Sequence, residues 1–303
     1  MRICVFGAGA LGSAIGGLLA SQHEVSLVAK RAHAAAIRKE GLRIDGVLRR
    51  RVRVAAYEHV EDAPAADLLV ICTKAFDTRS AIDACRKAVG ESTRALTLQN
   101  GLGNLELLRE WKGRKAFGGT TTLGARLVRP GVIQLAGLGE TIIGGDMDVA
   151  GARKIAAAFT SAGIKSCVKK NIEREIWSKV VVSACINPLT AILRVPNGAL
   201  LSSPVISRLA SEVARECLLV SAAEGHALST ARTVARIRSV ARSTAKNHSS
   251  MLQDIERGRR TEISMINGAV CALAAKRGIP VPLNSALVAV VEALERDLSS
   301  EKG

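Results

Sequence analysis

The chain has 303 residues, nearly half of them apolar, which is enough for two domains with full-sized cores. Its seven cysteines, Cys4, Cys72, Cys85, Cys167, Cys185, Cys217 and Cys271, are odd in number, widely separated and mostly set in apolar stretches, so they read as reduced core residues of a cytoplasmic protein. No C-x-x-C pair or histidine-rich cluster proposes a metal site, no stretch after the first predicted helix is apolar for the roughly 18 residues of a membrane span, and a formal charge of +16 suits a protein whose ligands are anions.

The opening run, MRICVFGAGALGSAIGGLLASQ, has two readings. Arg2, the uncharged stretch and Ala20-Ser21 imitate a secretory signal peptide. The glycines argue for a nucleotide-binding turn, because Gly7, Gly9 and Gly12 stand in G-x-G-x-x-G order after a short apolar strand, Ile3-Cys4-Val5-Phe6, and before a helix-length stretch from Ala10. Glu24 to Ala29 then reads as a second strand, completing a βαβ unit about thirty residues long. In such a unit the first glycine permits the tight turn, the second admits a pyrophosphate to the backbone, and the third lets helix and strand pack closely. Gly7, Ala8, Gly9, Ala10, Leu11 and Gly12 are therefore expected to hold the phosphates, at the positive end of a helix.

Further along, Arg31 to Glu40 reads as a helix ending at Gly41, and Leu42 to Ala55 as a hairpin broken at Asp45-Gly46. Asp67 to Cys72 and Ala95 to Gln99 are short buried strands with a helix from Asp77 to Val89 between them, which continues a parallel sheet. Gly118 to Gly145 suggests strands at the edge of that sheet. Near residue 170 the character changes: from Ile172 nearly everything looks helical, with stops near Pro188, Asn197-Gly198, Gly225, Gly258 and Gly278. The expected fold is α/β, with a Rossmann-type doubly wound sheet over 1–170 and an all-helical domain over 171–303 that could close a cleft against it. Eight basic residues between Arg232 and Arg260 raise the question of nucleic acid. A solvated basic face is the plainer reading, since no Phe, Tyr or Trp follows Trp177 to stack on bases.

Three strand ends carry candidate ligand contacts. The second strand ends in Lys30-Arg31 where an NAD-preferring unit carries Asp or Glu; two cations there would pair with a 2′-phosphate, so the pattern favours NADPH. Lys74 follows one buried strand and Asn100 the next, both at carboxyl ends, where doubly wound sheets bind ligands. In the helical half, Lys179, Ser183 and Asn187 recur at i, i+4 and i+8 and so share one face of an otherwise apolar helix.

GAGALG, LQNGLGNLE, GTTT, EIWSKVVVSACINPLTAI, PNG, SSMLQDIERGRRTEISMING and GIPVPLN occur in the order of the motifs of the ketopantoate reductase (2-dehydropantoate 2-reductase) family, which the chain resembles over nearly its whole length. The resemblance implies an N-terminal Rossmann domain, a helical C-terminal domain like that of 6-phosphogluconate dehydrogenase, and NADPH-dependent reduction of ketopantoate to (R)-pantoate for pantothenate synthesis. It makes Lys179 the general acid. It assigns Asn187, Asn197 and Ser250 to the substrate, Asn100, Lys74 and the backbone of Ala125 to the cofactor, and Glu262 to the nicotinamide ribose. Taken as bare sequence, Asn197 is a turn residue, Ser250 a helix cap and Glu262 a first-turn acid. The expected partner is a small 2-oxo acid, with no nucleic acid and no membrane; oligomeric state is not fixed, and a homodimer is one open arrangement.

One residue departs from the family pattern. Ser183 stands where well-known members carry Asn, one turn beyond the catalytic lysine, and a hydroxyl has one donor where an amide has two and a carbonyl. A family member acting on a different 2-oxo acid is therefore the alternative.

Overall fold

In β1 (Arg2–Phe6) Ile3 and Val5 enter one buried cluster and Cys4 another, so the sheet built on this strand is covered on both faces, as a parallel sheet requires. The computed structural model describes residues 1–145 and 147–300, and the chain divides into two units: Met1–Gln99 with Asn104–Ile172, and Asn100–Gly103 with the chain from Glu173 onward.

In the first unit β1 is followed by α1 (Ala10–Leu19), β2 (Glu24–Val28), α2 (Arg31–Glu40), β3 (Leu42–Gly46), β4 (Arg50–Val52), β5 (Ala55–Tyr57), β6 (Leu68–Ile71), α3 (Thr78–Ala88), β7 (Arg94–Thr97), α4 (Asn104–Lys112), β8 (Ala116–Thr121), β9 (Gly124–Arg129), β10 (Val132–Gly137), β11 (Thr141–Gly144), α5 (Val149–Ser161) and β12 (Ser166–Val168). The main sheet has the order β12-β11-β8-β7-β6-β1-β2-β5, in which only the β11–β8 pair is antiparallel. The chain leaves β1 toward β2 and β5, then returns to the other side at β6. The carboxyl ends of β1 and β6 thus flank a topological switch point, where ligands enter such sheets.

The expectation that Gly118 to Gly145 forms the edge of this sheet needs correction. β8 and β11 do join it, but β9 and β10 leave it and build a second, four-stranded sheet, β4-β3-β10-β9. The predicted hairpin is likewise β3–β4 alone, because β5 pairs with β2 instead. Helix α1 packs against strands of both sheets. A Cβ on Gly16 would lie 2.3 Å from Leu27 Cδ2 on the main-sheet side, and one on Gly17 would lie 2.8 Å from Leu42 Cδ2 on the second-sheet side.

The second unit is helical: α6 (Ile172–Leu193), α7 (Ala199–Ser202), α8 (Pro204–Ala223), α9 (Thr230–Ser243), α10 (Ser250–Glu256), α11 (Asn267–Arg277) and α12 (Pro282–Ser300). Its core gathers Trp177, Val181, Cys185, Val213, Cys217, Leu252 and Val270. Helix α9 buries Thr233, Ile237 and Ala241 and leaves Arg232, Arg238 and Arg242 exposed, which makes it an amphipathic cover rather than a core helix.

Pro188 does not stop α6, contrary to expectation; the helix runs on to Leu193. Proline has no N–H, so the Ala184 carbonyl loses its helical partner. The amide of Asn267, fully buried at the start of α11, fills the gap by donating from Nδ2 to Ala184 O at 3.1 Å. At 22 residues α6 is also long and apolar enough to cross a membrane by length and composition, which corrects the reading that no such stretch follows the first helix. Most of it is buried within the protein, as befits a core helix.

Candidate active site

The glycine-rich turn sits at the switch point. Gly7 has φ +86°, and a Cβ there would come within 2.5 Å of Thr73 N, so the turn after β1 lies directly against the Thr73–Lys74 segment after β6. Gly12 packs so closely on Gly7 O that a methyl group would lie 2.5 Å away. At Gly9 a Cβ would meet nothing within 4 Å, and no side chain caps α1. These are the properties a dinucleotide diphosphate needs: open space beside the backbone and uncapped N–H groups of Ala10 and Leu11 at a positive helix end. Lys30 and Arg31 are exposed at the start of α2, which is also uncapped.

Lys74 is half-buried at the end of β6, and Ala125 is half-buried in β9, opposite Leu135 of β10. Sequence reasoning missed Gln99, which braces this edge. Its buried amide donates to Thr73 Oγ1 at 2.9 Å and Thr78 Oγ1 at 2.8 Å, tying the end of β7 to the turn that carries Lys74. A polar residue closing an apolar strand was the available signal.

In the second unit, the helix face proposed from spacing is borne by the burial pattern. Between Lys179 and Asn187, residues 180–182 and 184–186 are all buried, and Lys179, Ser183 and Asn187 are the half-buried positions. The thiol of Cys185 on the opposite face is fully buried, and its pKa is raised well above the usual range by burial and then by neighbouring Cys217. It is therefore no nucleophile. From Lys179 to Asn187, Lys179 is the ionisable side chain of this face, with Glu175 one turn before it.

Asn100 and Glu262 are brought together: Asn100 Nδ2 donates to Glu262 Oε2 at 3.2 Å, with Glu262 only 6% exposed. Before the short helical turn Ile263–Met265, Thr261 Oγ1 accepts from Ile263 N–H at 3.1 Å. Glu262 itself stands at the N-cap position of that turn, one residue before its first turn, and its side chain makes no cap hydrogen bond. The segment that carries Asn100 is held by Leu102 N–H, which donates to Met265 O at 3.0 Å. Asn197 is buried, and its Nδ2 donates to Thr244 Oγ1 at 2.9 Å while Oδ1 is buried without a hydrogen-bond partner among the described residues. Ser250 is not the cap of α10. That role belongs to Ser249, whose Oγ accepts from Leu252 N–H and from Thr190 Oγ1, leaving Ser250 exposed in the first turn.

Comparison with known proteins adds a second line of observation. Residues 3–146 match the family described as ketopantoate reductase PanE/ApbA, and residues 171–295 match its C-terminal counterpart. The chain is 40% identical to a 2-dehydropantoate 2-reductase of Halobacterium salinarum, with 98% of this chain and 100% of that one covered. It is 39% identical to one from Archaeoglobus fulgidus, with 98% and 99% covered. The chain belongs to the ketopantoate reductase family. Among solved structures it is similar to a PanE/ApbA family ketopantoate reductase from Ralstonia eutropha, with a TM-score of 0.92 and 32% identity over 99% of this chain and all of that one. It is equally similar in fold to a D-mandelate dehydrogenase bound to NADH and anilino(oxo)acetate, with a TM-score of 0.94 and 27% identity over 99% and 100%.

Proposed function

We propose that this protein reduces 2-dehydropantoate to (R)-pantoate with NADPH, in the cytoplasm, as a step toward pantothenate. The observation that carries this reading is the line of Lys179, Ser183 and Asn187, three half-buried polar residues on a helix whose intervening positions are all buried. Family membership and full-length similarity to 2-dehydropantoate 2-reductases support it.

A bound nicotinamide supplies hydride to C2 of the 2-oxo acid, and the chain must then manage the alkoxide that forms. The ammonium of Lys179 donates the proton and stabilises the developing negative charge. Asn187, Asn197 and Ser250 orient the carboxylate and hydroxyls; the unpartnered Asn197 Oδ1 suits a substrate hydroxyl, which can donate to it. Glu262, held by Asn100, accepts from the nicotinamide ribose. Gly7 to Gly12 receive the diphosphate, Lys30 and Arg31 the 2′-phosphate, and Lys74 and the Ala125 backbone contact the cofactor between them.

A second reading is a reductase of another 2-oxo acid, favoured by Ser183 in place of Asn and by the likeness to the mandelate dehydrogenase. Steady-state NADPH oxidation with ketopantoate beside a panel of aliphatic and aromatic 2-oxo acids separates the two. The first predicts ketopantoate as the best substrate; a preference above tenfold for another acid defeats it. In the same assay Lys179→Ala should lower kcat by at least about a hundredfold, the lower range for a lost general acid. Undiminished turnover would remove Lys179 from the mechanism.

A further inference from the structure

We propose that His33 is a positioning residue for the dinucleotide, one that sets the placement of the phosphate-binding turn of α1 relative to the Lys30–Arg31 pair of α2. The inference rests on the cofactor assignment above and adds a residue to it.

The imidazole is 5% exposed, and both ring nitrogens have partners. Nδ1 lies 2.9 Å from the Gly131 N–H, in the turn between β9 and β10. A backbone amide only donates, so Nδ1 is the bare nitrogen and the neutral ring carries its proton on Nε2. Nε2 in turn lies 2.9 Å from Ser13 Oγ and donates to it, and the Ser13 hydroxyl passes its own hydrogen to the Ala8 carbonyl at 3.0 Å. The direction of the whole relay is therefore fixed: Gly131 N–H, imidazole, Ser13 O–H, Ala8 C=O. Ala8 lies between Gly7 and Gly9, so the relay ends on the turn expected to receive the diphosphate.

The other end of the same residue reaches the ribose side. His33 N–H donates to Lys30 O at 2.9 Å within the first turn of α2, which fixes ring and cation pair on one piece of backbone. Gly131 is anchored in addition by Arg43 N–H, which donates to its carbonyl at 2.9 Å. One ring thus joins α1, α2 and the second sheet at the point where the diphosphate and the 2′-phosphate of the cofactor would be gripped. Burial lowers the pKa of His33, and no charged side chain offsets this. Helix α1 has no titratable residue, Arg129 at the end of β9 is exposed, and Arg31, Arg38, Lys39 and Glu40 of α2 are exposed. The ring is accordingly neutral and in a single tautomer at pH 7.

The test is direct binding, without turnover. Dissociation constants for NADPH and NADH would be measured by the fluorescence of the reduced nucleotide for the parent protein, His33→Leu, Ser13→Ala and the double variant, alongside thermal melts. Loss of one relay member should weaken NADPH by about tenfold, the worth of one to two buried hydrogen bonds. NADH, which lacks the 2′-phosphate, should weaken less, so the preference for NADPH narrows. The double variant should be no worse than His33→Leu alone, since one broken link already breaks the relay. Ser13→Ala deletes a single oxygen and decides the matter if His33→Leu does not fold. Melting temperatures that fall while both constants stay put, or equal losses for the two cofactors, overturn the proposal. A parent protein that binds neither cofactor overturns the underlying assignment instead.

Discussion

On the proposed assignment, the choice of cofactor rests on Lys30 and Arg31. Both are exposed, so each would meet a 2′-phosphate through solvent-screened charge and through hydrogen bonds to its oxygens. Replacing both by Ala should raise the KM for NADPH by about ten- to a hundredfold, two charge-assisted contacts being lost, while NADH changes by less than about twofold. Equal losses for both nucleotides would refute the assignment. Ser183 is the residue-scale counterpart on the substrate side: it occupies the centre of the polar line on α6, yet a hydroxyl reaches less far than an amide. Helical spacing disclosed the line of Lys179, Ser183 and Asn187, because a helix repeats its face every three to four residues, while Lys30 and Arg31 were legible from the end of the second strand. It could not disclose Ser249, because choosing between adjacent serines as the cap needs the backbone angles at the start of α10.

At the scale of elements, the instructive case is α6. A proline in the interior of a helix usually ends or kinks it, at a cost of about 3 kcal/mol. Here the carbonyl it orphans is served by Asn267, whose Nδ2 also donates to Asn284 Oδ1 at 2.9 Å. Asn267→Leu should therefore destabilise the protein by about 1–3 kcal/mol, the penalty for stranding buried acceptors. Adding Pro188→Ala, which returns an N–H to the helix, should recover part of that loss. Urea unfolding followed by tryptophan fluorescence reads both; the same loss with Pro or Ala at 188 would show that the side chain does not stand in for the missing donor. The sequence signals were sound for β1, α1, β2 and α2, where each element is decided by its own residues. They failed at Pro188 because the compensating residue lies 79 positions on, at 267. They failed again at β9 and β10, since periodicity identifies a strand without saying which sheet it joins. Likewise, nothing near Ser13 announces His33, because their pairing exists only once α1 and α2 are packed.

For the whole molecule, a net charge of +16 favours anionic ligands at long range. Raising sodium chloride from about 0.05 to about 0.5 M shortens the screening length severalfold and should lower kcat/KM for the 2-oxo acid by a few-fold, through KM more than kcat. A salt-independent kcat/KM would show that the surplus charge lies too far from the site to steer anything. The second unit does not begin where its helices begin: it includes Asn100–Gly103, more than seventy residues upstream of Glu173. Excising the chain after Ile172 would leave the helical half without the amide that meets Glu262 and without the backbone link to Met265. The halves of this protein are consequently not interchangeable cassettes, and any recombination between relatives at the apparent seam must carry the short upstream loop and the downstream acid as one inheritance.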